Sequence, residues 1–430
     1  MEINIPIVNV PRVVIVGGGF GGIELAKTLK DKPVQVVLID KNNYHTFQPL
    51  LYQVATAGLE PDSIASPLRK IFKQQKNFYF RMAGVDQVIP ERNSIITSIG
   101  EMHYDYLVVA TGSTTNFFGN KRFEENSMGM KSIVEALNIR SLLLQNLEQA
   151  LLVSDVRERE MLMSIAIVGG GATGVEMAGA LSDLKKHILP NDYPELDFRK
   201  MEIHIIEAGP RVLAGMSPEA SAKTKKFLDR MGIHVWLNTR VLDYDGSILK
   251  TSNGKPIAAK TLFWAAGVAG NTVEGLDSAV ITRSDRYEVN EFNQVKDYVN
   301  VFAIGDVAAM ISEKSPKGHP MMAPVAVQQA HNVGENILRI LEKKPMKLFK
   351  YKDKGSMATI GRNKAVADIG SFKTQGFLAW LIWMFVHLLL LIGFRNKLVV
   401  MINWLWNYIR YDTGIRLIIR PYKNKKEAEA

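Results

Sequence analysis

Two stretches of this chain carry glycines at a spacing suited to holding phosphates. In Pro11-Arg-Val-Val-Ile-Val-Gly-Gly-Gly-Phe-Gly-Gly-Ile-Glu-Leu-Ala26, the branched residues Val13 to Val16 run straight into glycines 17, 19 and 22. A buried parallel strand, a tight turn and a helix opening are expected. Gly17 permits the turn, Gly19 lets a pyrophosphate approach the backbone, and Gly22 lets helix and strand pack closely. Free amides at the helix start then face the phosphates. The next strand pattern, Val34 to Ile39, ends in Asp40, about 18 residues past Gly22, where a carboxylate can bind a ribose hydroxyl.

The pattern returns in Ser164-Ile-Ala-Ile-Val-Gly-Gly-Gly-Ala-Thr-Gly-Val-Glu-Met-Ala-Gly179, with glycines 169, 171 and 174. Its companion strand, Glu202 to Ile206, ends in Glu207, about 33 residues beyond Gly174. An insertion over Lys185 to Lys200, with two prolines, accounts for the long interval. A carboxylate there holds both ribose hydroxyls and repels a 2′-phosphate, which favours NADH over NADPH. The competing reading makes Glu207 a solvated strand-end acid.

The elements that must position these motifs follow from apolar patterning. Asn43 to Gly58 mixes aromatics, amides and small residues without clean periodicity. It reads equally as a loop against a flat ligand or as an irregular core segment. Glu60-Pro-Asp62 starts a helix through Lys73, and Phe78 to Arg81, Gly84 to Ile89 and Ser94 to Ile99 read as a small antiparallel insertion. Tyr104 to Ser113 is a buried strand ending in the small turn Ala110-Thr111-Gly112, which lets backbone approach a ligand. A long helix is expected over Ser132 to about Val153, and strands at Ile233 to Asn238, Ser247 to Lys250 and Thr261 to Gly267. Asn300 to Val307 delivers Gly305 and Asp306 to the C-terminal end of a strand, where ligands bind in such sheets. Met322 to Ala330 opens a helix with Pro324 near its first position. The predicted fold is α/β: two Rossmann-like dinucleotide-binding domains, the second inserted in the first, plus a C-terminal membrane-associated helical region. The boundaries are 1–118 and 276–342, then 119–275, then 343–430.

Composition narrows the chemistry. The chain has 430 residues and no cysteine, which excludes thiolate nucleophiles, disulfide catalysis, iron–sulfur clusters and cysteine-bound zinc; no metal site is expected. Net charge is +10, yet no nucleic-acid-binding signature accompanies it. No signal peptide is read at the N-terminus. The basic residues crowd the C-terminus beside four of the six tryptophans, which favours an anionic lipid surface over nucleic acid. Gly376 to Phe394 is about 19 residues, apolar all round, at the lower edge of a spanning helix. Spanning, interfacial and core placements compete. Leu398 to Ile409 and Gly414 to Arg420 follow.

Two glycine motifs in a split first domain resemble the two-dinucleotide-binding flavoproteins. Within these, the chain resembles the type II NADH:quinone oxidoreductases. The residues that carry the resemblance are Tyr44 to Ala57, Gly174-Val-Glu176, Glu207 to Leu213, Trp264-Ala-Ala-Gly267, Ala323 to Gln328, Lys354 to Ala358 and the apolar C-terminus. The resemblance implies FAD in the first cradle and NADH in the second, with a quinone arriving from the bilayer and no proton pumping. It gives Glu176 a role in hydride transfer and the quinone step, and Gln328 a place at the quinone entrance. A glutamine common in the family is replaced here by Pro324. Cofactor contacts are implied at Gly17, Gly19, Phe20, Gly22, Asp40, Lys41, Gln48, Val85, Ala110, Thr111, Gly112, Gly305 and Asp306 for the flavin side. On the NADH side they are Gly169, Gly171, Gly174, Glu207 and Gly267. A monotopic attachment on the cytoplasmic side of the cell membrane and a C-terminal homodimer interface are expected. The alternatives are an NADH oxidase using oxygen and a membrane-docked NADH-sensing flavoprotein.

Overall fold

Runs of branched apolar residues set two parallel sheets. The computed structural model describes residues 2–313, 315–410 and 416–423. The chain divides into two compact units: Met1–Thr46, Ala65–Thr114 and Val268–Asp353 form one, and Phe47–Ile64, Thr115–Gly267 and Lys354–Ala430 the other. The α/β architecture is as expected, with the second glycine module carried in a segment inserted within the first.

In the first unit the strand Arg12–Val16 sits at the centre of a five-stranded parallel sheet. Gln35–Asp40 and then Phe78–Met82 lie on one side, Tyr106–Val109 and Val301–Ala303 on the other. Residues buried on both faces explain why these strands read as unbroken apolar runs. The helix Phe20–Thr28 packs on the helix Ala323–Leu341, where a Cβ on Gly334 would come within 2.7 Å of Thr28 Cγ2.

The second unit repeats the scheme. Ile165–Val168 lies between Ile203–Ile206 and Thr261–Trp264, with His234–Trp236 at the edge, all parallel. The helix Ile133–Leu152 begins at a capping box: Ser132 Oγ accepts the Glu135 N–H, and the Glu135 carboxylate accepts from Ser132 Oγ and the Lys131 N–H. An antiparallel sheet of Ser356–Gly361, Lys364–Ile369 and Phe372–Gln375 rests on the helix Ala172–His187. Backbone meets backbone there, since a Cβ on Gly179 would lie 2.1 Å from the Ile360 carbonyl oxygen. The helices Phe377–Leu390 and Phe394–Arg410 close the described chain.

Three local expectations are corrected. Glu60 to Lys73 is not one helix: Pro61 opens a short 3-10 turn, and Pro67 ends a strand, Ala65–Pro67, before the helix Leu68–Ile71. Phe78–Met82 belongs to the parallel sheet, and the antiparallel insertion is Val85–Ile89, Ser94–Thr97 and Gly100–His103. The apolar run 376–394 does not form one 19-residue helix. It breaks after Leu390, and Gly393 takes a φ of +88° in the turn. Of Gly414 to Arg420, residues 414–415 lie outside the described residues and 416–420 form no helix or strand. Among the described residues no helix is long and apolar enough to cross a membrane.

Candidate active site

The two glycine turns have the same geometry, residue for residue. Gly17 and Gly169 have φ of +107° and +114°, and a Cβ on either would sit 2.4 Å from a carbonyl oxygen, of Ala110 and Ala265 respectively. A Cβ on Gly22 or Gly174 would strike the carbonyl of Gly17 or Gly169 at 1.9 and 2.0 Å. Gly19 and Gly171, which precede the helices Phe20–Thr28 and Ala172–His187, have open space where a Cβ would lie, and no side chain caps either helix. Each turn therefore offers bare backbone amides to an anion. The strand-end acids repeat as well. Gly18 N–H donates to Asp40 Oδ2 at 2.6 Å, and Gly170 N–H to Glu207 Oε2 at 2.7 Å. Burial pushes the Asp40 carboxyl above its usual range, against the pull of the Gly18 and Asn42 amides.

The first unit gathers most of the expected flavin contacts. Ala110 closes on Gly17, Thr111 Oγ donates to the Asn271 carbonyl, and Gly112 turns at a φ of +73°. Asp306 Oδ2 accepts the Ser113 hydroxyl at 2.6 Å, and Gly305 N–H donates to Gln329 Oε1 at 2.7 Å. Ala326, in the first turn of Ala323–Leu341, packs against both Gly305 and Gly21. Phe20 stands edge-on to His45, a residue the glycine pattern did not single out. His45 Nδ1 lies 3.1 Å from the Gly18 carbonyl while Nε2 is buried without a partner, and burial lowers its pKa to about 4. Glycine turns that no Cβ can enter, two uncapped helix starts and an orphaned ring nitrogen beside one of them all fit a dinucleotide. Lys41 is exposed and Val85 half-buried. Gln48 belongs to the second unit, where its amide reaches the Lys131 carbonyl at 3.4 Å. Gln328 clasps one residue: its Nε2 donates to the Lys352 carbonyl at 3.0 Å and its Oε1 accepts the Lys352 N–H at 2.9 Å.

In the second unit, Gly267 accepts the Asn116 N–H and lies under the Phe118 ring, which a Cβ would meet at 2.9 Å. Glu176, two residues past Gly174 on the same helix, is buried. Thr359 N–H donates to its Oε1 at 3.3 Å. The Trp383 indole N–H favours the charged carboxylate without completing a hydrogen bond. Burial outweighs both and pushes the carboxyl up to about 8. Glu176 lines a cleft of about 190 Å³ together with Tyr52, Thr359, Arg362, Trp383 and Tyr408. The Arg362 guanidinium stacks on the Tyr408 ring at 4.0 Å. Trp404 and Asn407 tie the last helix to Gln53 and Gly58. Glycine spacing located the cradles but not Tyr52, Trp383 or Arg362, which reach the cleft from three separate segments.

The walls formed by the last two helices are apolar on both sides. Ala379, Trp383 and Val400 face inward, while Phe377, Leu381, Phe385, Leu389, Phe394, Met401, Leu405, Trp406 and Ile409 are exposed. An exposed apolar face of this extent beside Arg395, Lys397 and Arg410 suits a lipid interface.

Residues 11–330 match the family model described as pyridine nucleotide-disulphide oxidoreductase, and residues 354–410 match the NDH2 C-terminal domain. The chain is 36% identical over 422 residues to the type II NADH:quinone oxidoreductase Ndh of Mycobacterium tuberculosis, covering 94% of this chain and 89% of that one. It is 33% identical over 387 residues to the type II NADH:quinone oxidoreductase of Haemophilus influenzae, covering 83% and 87%. In fold it is similar to NDH2 from Plasmodium falciparum, solved in complex with NADH. The TM-score is 0.86 at 23% identity, covering 95% of this chain and all of that one.

Proposed function

The chain belongs to the type II NADH:quinone oxidoreductase family, and from that premise we propose how its residues carry out the reaction. It is a membrane-associated flavoprotein that oxidises NADH and reduces quinone, using FAD and NADH. Bound FAD would supply a hydride acceptor for NADH and a two-electron donor for the quinone. The Gly17–Gly22 turn and the Gly169–Gly174 turn supply amides for the two pyrophosphates, with Asp40 and Glu207 at the riboses. The finer assignments are part of the same reading: residues 1–118 and 276–342 hold FAD, 119–275 hold NADH, and 343–430 dock on lipid. Attachment to the cytoplasmic leaflet follows from where NADH is made, and Arg395, Lys397 and Arg410 favour anionic headgroups. A second copy of the chain pairs through the C-terminal region.

One observation carries the quinone assignment: a buried carboxyl with a pKa of about 8 lines a cleft walled by two helices whose outer faces are apolar. At neutral pH such a group is a proton donor, and it sits where a lipid-borne ring would enter. Tyr52, Trp383 and Tyr408 supply aromatic walls for that ring, and Glu176 supplies a proton to a quinone oxygen. The test is anaerobic spectroscopy. NADH should bleach the yellow protein and a quinone should restore its colour, and Glu176→Gln should slow the second step while leaving FAD bound. Colour that returns only with oxygen would refute the assignment.

A further inference from the structure

The reaction NADH + H⁺ + quinone → NAD⁺ + quinol draws one proton per turnover from water. Glu176 is buried, so a spent carboxylate there needs a route for that proton. On the helix Ala172–His187, residues 176, 180, 183 and 187 are spaced by four, three and four, which places them on one stripe. All four line the same cleft. Exposure grows along the stripe: Glu176 is buried, whereas Asp183 and His187 are half-buried.

We propose that Asp183 and His187 form a proton relay that returns a proton from solvent to Glu176, resting on the reading of this cleft as the quinone site. Seven residues of helix separate Glu176 from Asp183 by about 10 Å, and four more bring His187 about 6 Å further. Those gaps are bridged by water, and a cleft of about 190 Å³ has room for several molecules.

The surroundings suit the task. Asp183 Oδ2 accepts the Arg362 N–H at 3.2 Å, which fixes the carboxyl against the hairpin. Arg362 and Lys364 face it from that hairpin, His187 from its own helix, and Tyr52 from the segment Leu51–Ala55. Burial raises the Asp183 carboxyl in spite of these cations, and burial lowers His187, so the two proton affinities move toward each other. Proton exchange between them is then less uphill than between the same two groups in water. His187 is also exposed to the charges of Lys186, Arg362 and Lys364.

A purely structural Asp183 would act only as an acceptor for the Arg362 amide. Asp183→Asn keeps an acceptor oxygen there and removes the titrating proton, so the two roles separate. In the flavin-loaded full-length protein, Asp183→Asn and His187→Gln should leave the bleaching by NADH unchanged. They should slow multiple-turnover reduction of a short-chain quinone under saturating NADH roughly tenfold or more, with a larger loss at pH 8 than at pH 6 and partial rescue by imidazole. A second readout needs no turnover. The infrared band of the Glu176 carboxyl, identified by its disappearance in Glu176→Gln, should re-equilibrate more slowly after a pH jump in both variants. A variant that matches the unsubstituted protein in both measurements removes its residue from the relay. Failure of the unsubstituted protein to be reoxidised by quinone would overturn the quinone reading instead, and the infrared measurement would still decide the relay.

Discussion

Replacing Glu176 by Gln should stabilise the protein at the same time as it slows it. The folded carboxyl keeps its proton to about pH 8, while the ordinary value is 4.5. Between those values the native state binds more protons than the unfolded chain, so stability conferred at low pH is lost as pH rises through the window. At 1.36 kcal/mol per pH unit, holding Glu176 protonated at pH 7 costs about 3 kcal/mol, and the cost levels off near 5 kcal/mol above pH 8. Gln is uncharged, is nearly the same size, and retains an oxygen for the Thr359 N–H. The variant should therefore match the unsubstituted protein near pH 4.5 and exceed it increasingly toward pH 8. Near pH 7 the gain corresponds to a rise in melting temperature of roughly 3–6 °C, depending on whether the units unfold together. Calorimetry of the flavin-loaded protein from pH 5 to 9, paired with stopped-flow reoxidation by quinone, measures both effects. Equal melting temperatures for the two proteins across that range would refute the buried neutral acid and the proton-donor role built on it.

The remaining predictions concern the two cradles and the lipid face. Gly17→Val should give a colourless protein, because a side chain at a φ of +107° strikes the Ala110 carbonyl; the flavin absorbance of the purified variant checks this. Gly169→Ala should leave the protein yellow but raise the NADH concentration for half-maximal bleaching tenfold or more, since strain of about 1–3 kcal/mol falls on the second turn alone. Glu207→Gln should narrow the preference for NADH over NADPH by roughly tenfold, read as the ratio of kcat/KM values, because it removes the charge that repels a 2′-phosphate. Leu405→Asp with Ile409→Asp should release the protein from vesicles while leaving flavin reduction by NADH intact. Both side chains are exposed, and each contributes about 1.5–3 kcal/mol of apolar burial in a lipid interface.

Chemistry that depends on backbone shape was legible early. Gly17, Gly19 and Gly22 and their repeats mark places where no Cβ fits or where open space is needed, and such constraints act within a few residues of chain. Asp40 and Glu207 were legible for a related reason, since each terminates a strand beside its own glycine turn and both hold the middle glycine's amide. Gln328 was named as a quinone contact by resemblance, and the structure engages both ends of its amide with Lys352. Phe78 to Arg81 reads as a hairpin strand because an edge strand of a parallel sheet and a hairpin strand have similar local patterns, and the strand Phe78–Met82 is of the first kind. Its partner, Gln35–Asp40, lies some 40 residues away.

By itself the sequence determined two glycine turns of the shape a nucleotide needs, the α/β class, the absence of thiol chemistry and a greasy, basic C-terminus. These are local or compositional properties, set by which residues adjoin which. Only the tertiary structure decided that Glu176 stands in a cleft with Trp383 and Tyr408, and that Asp183 and His187 share that cleft with it. It also decided that the apolar tail breaks into two short helices with apolar outer faces. A pKa of about 8 is a property of surroundings assembled from segments more than 100 residues apart, and no local pattern encodes the desolvation they impose.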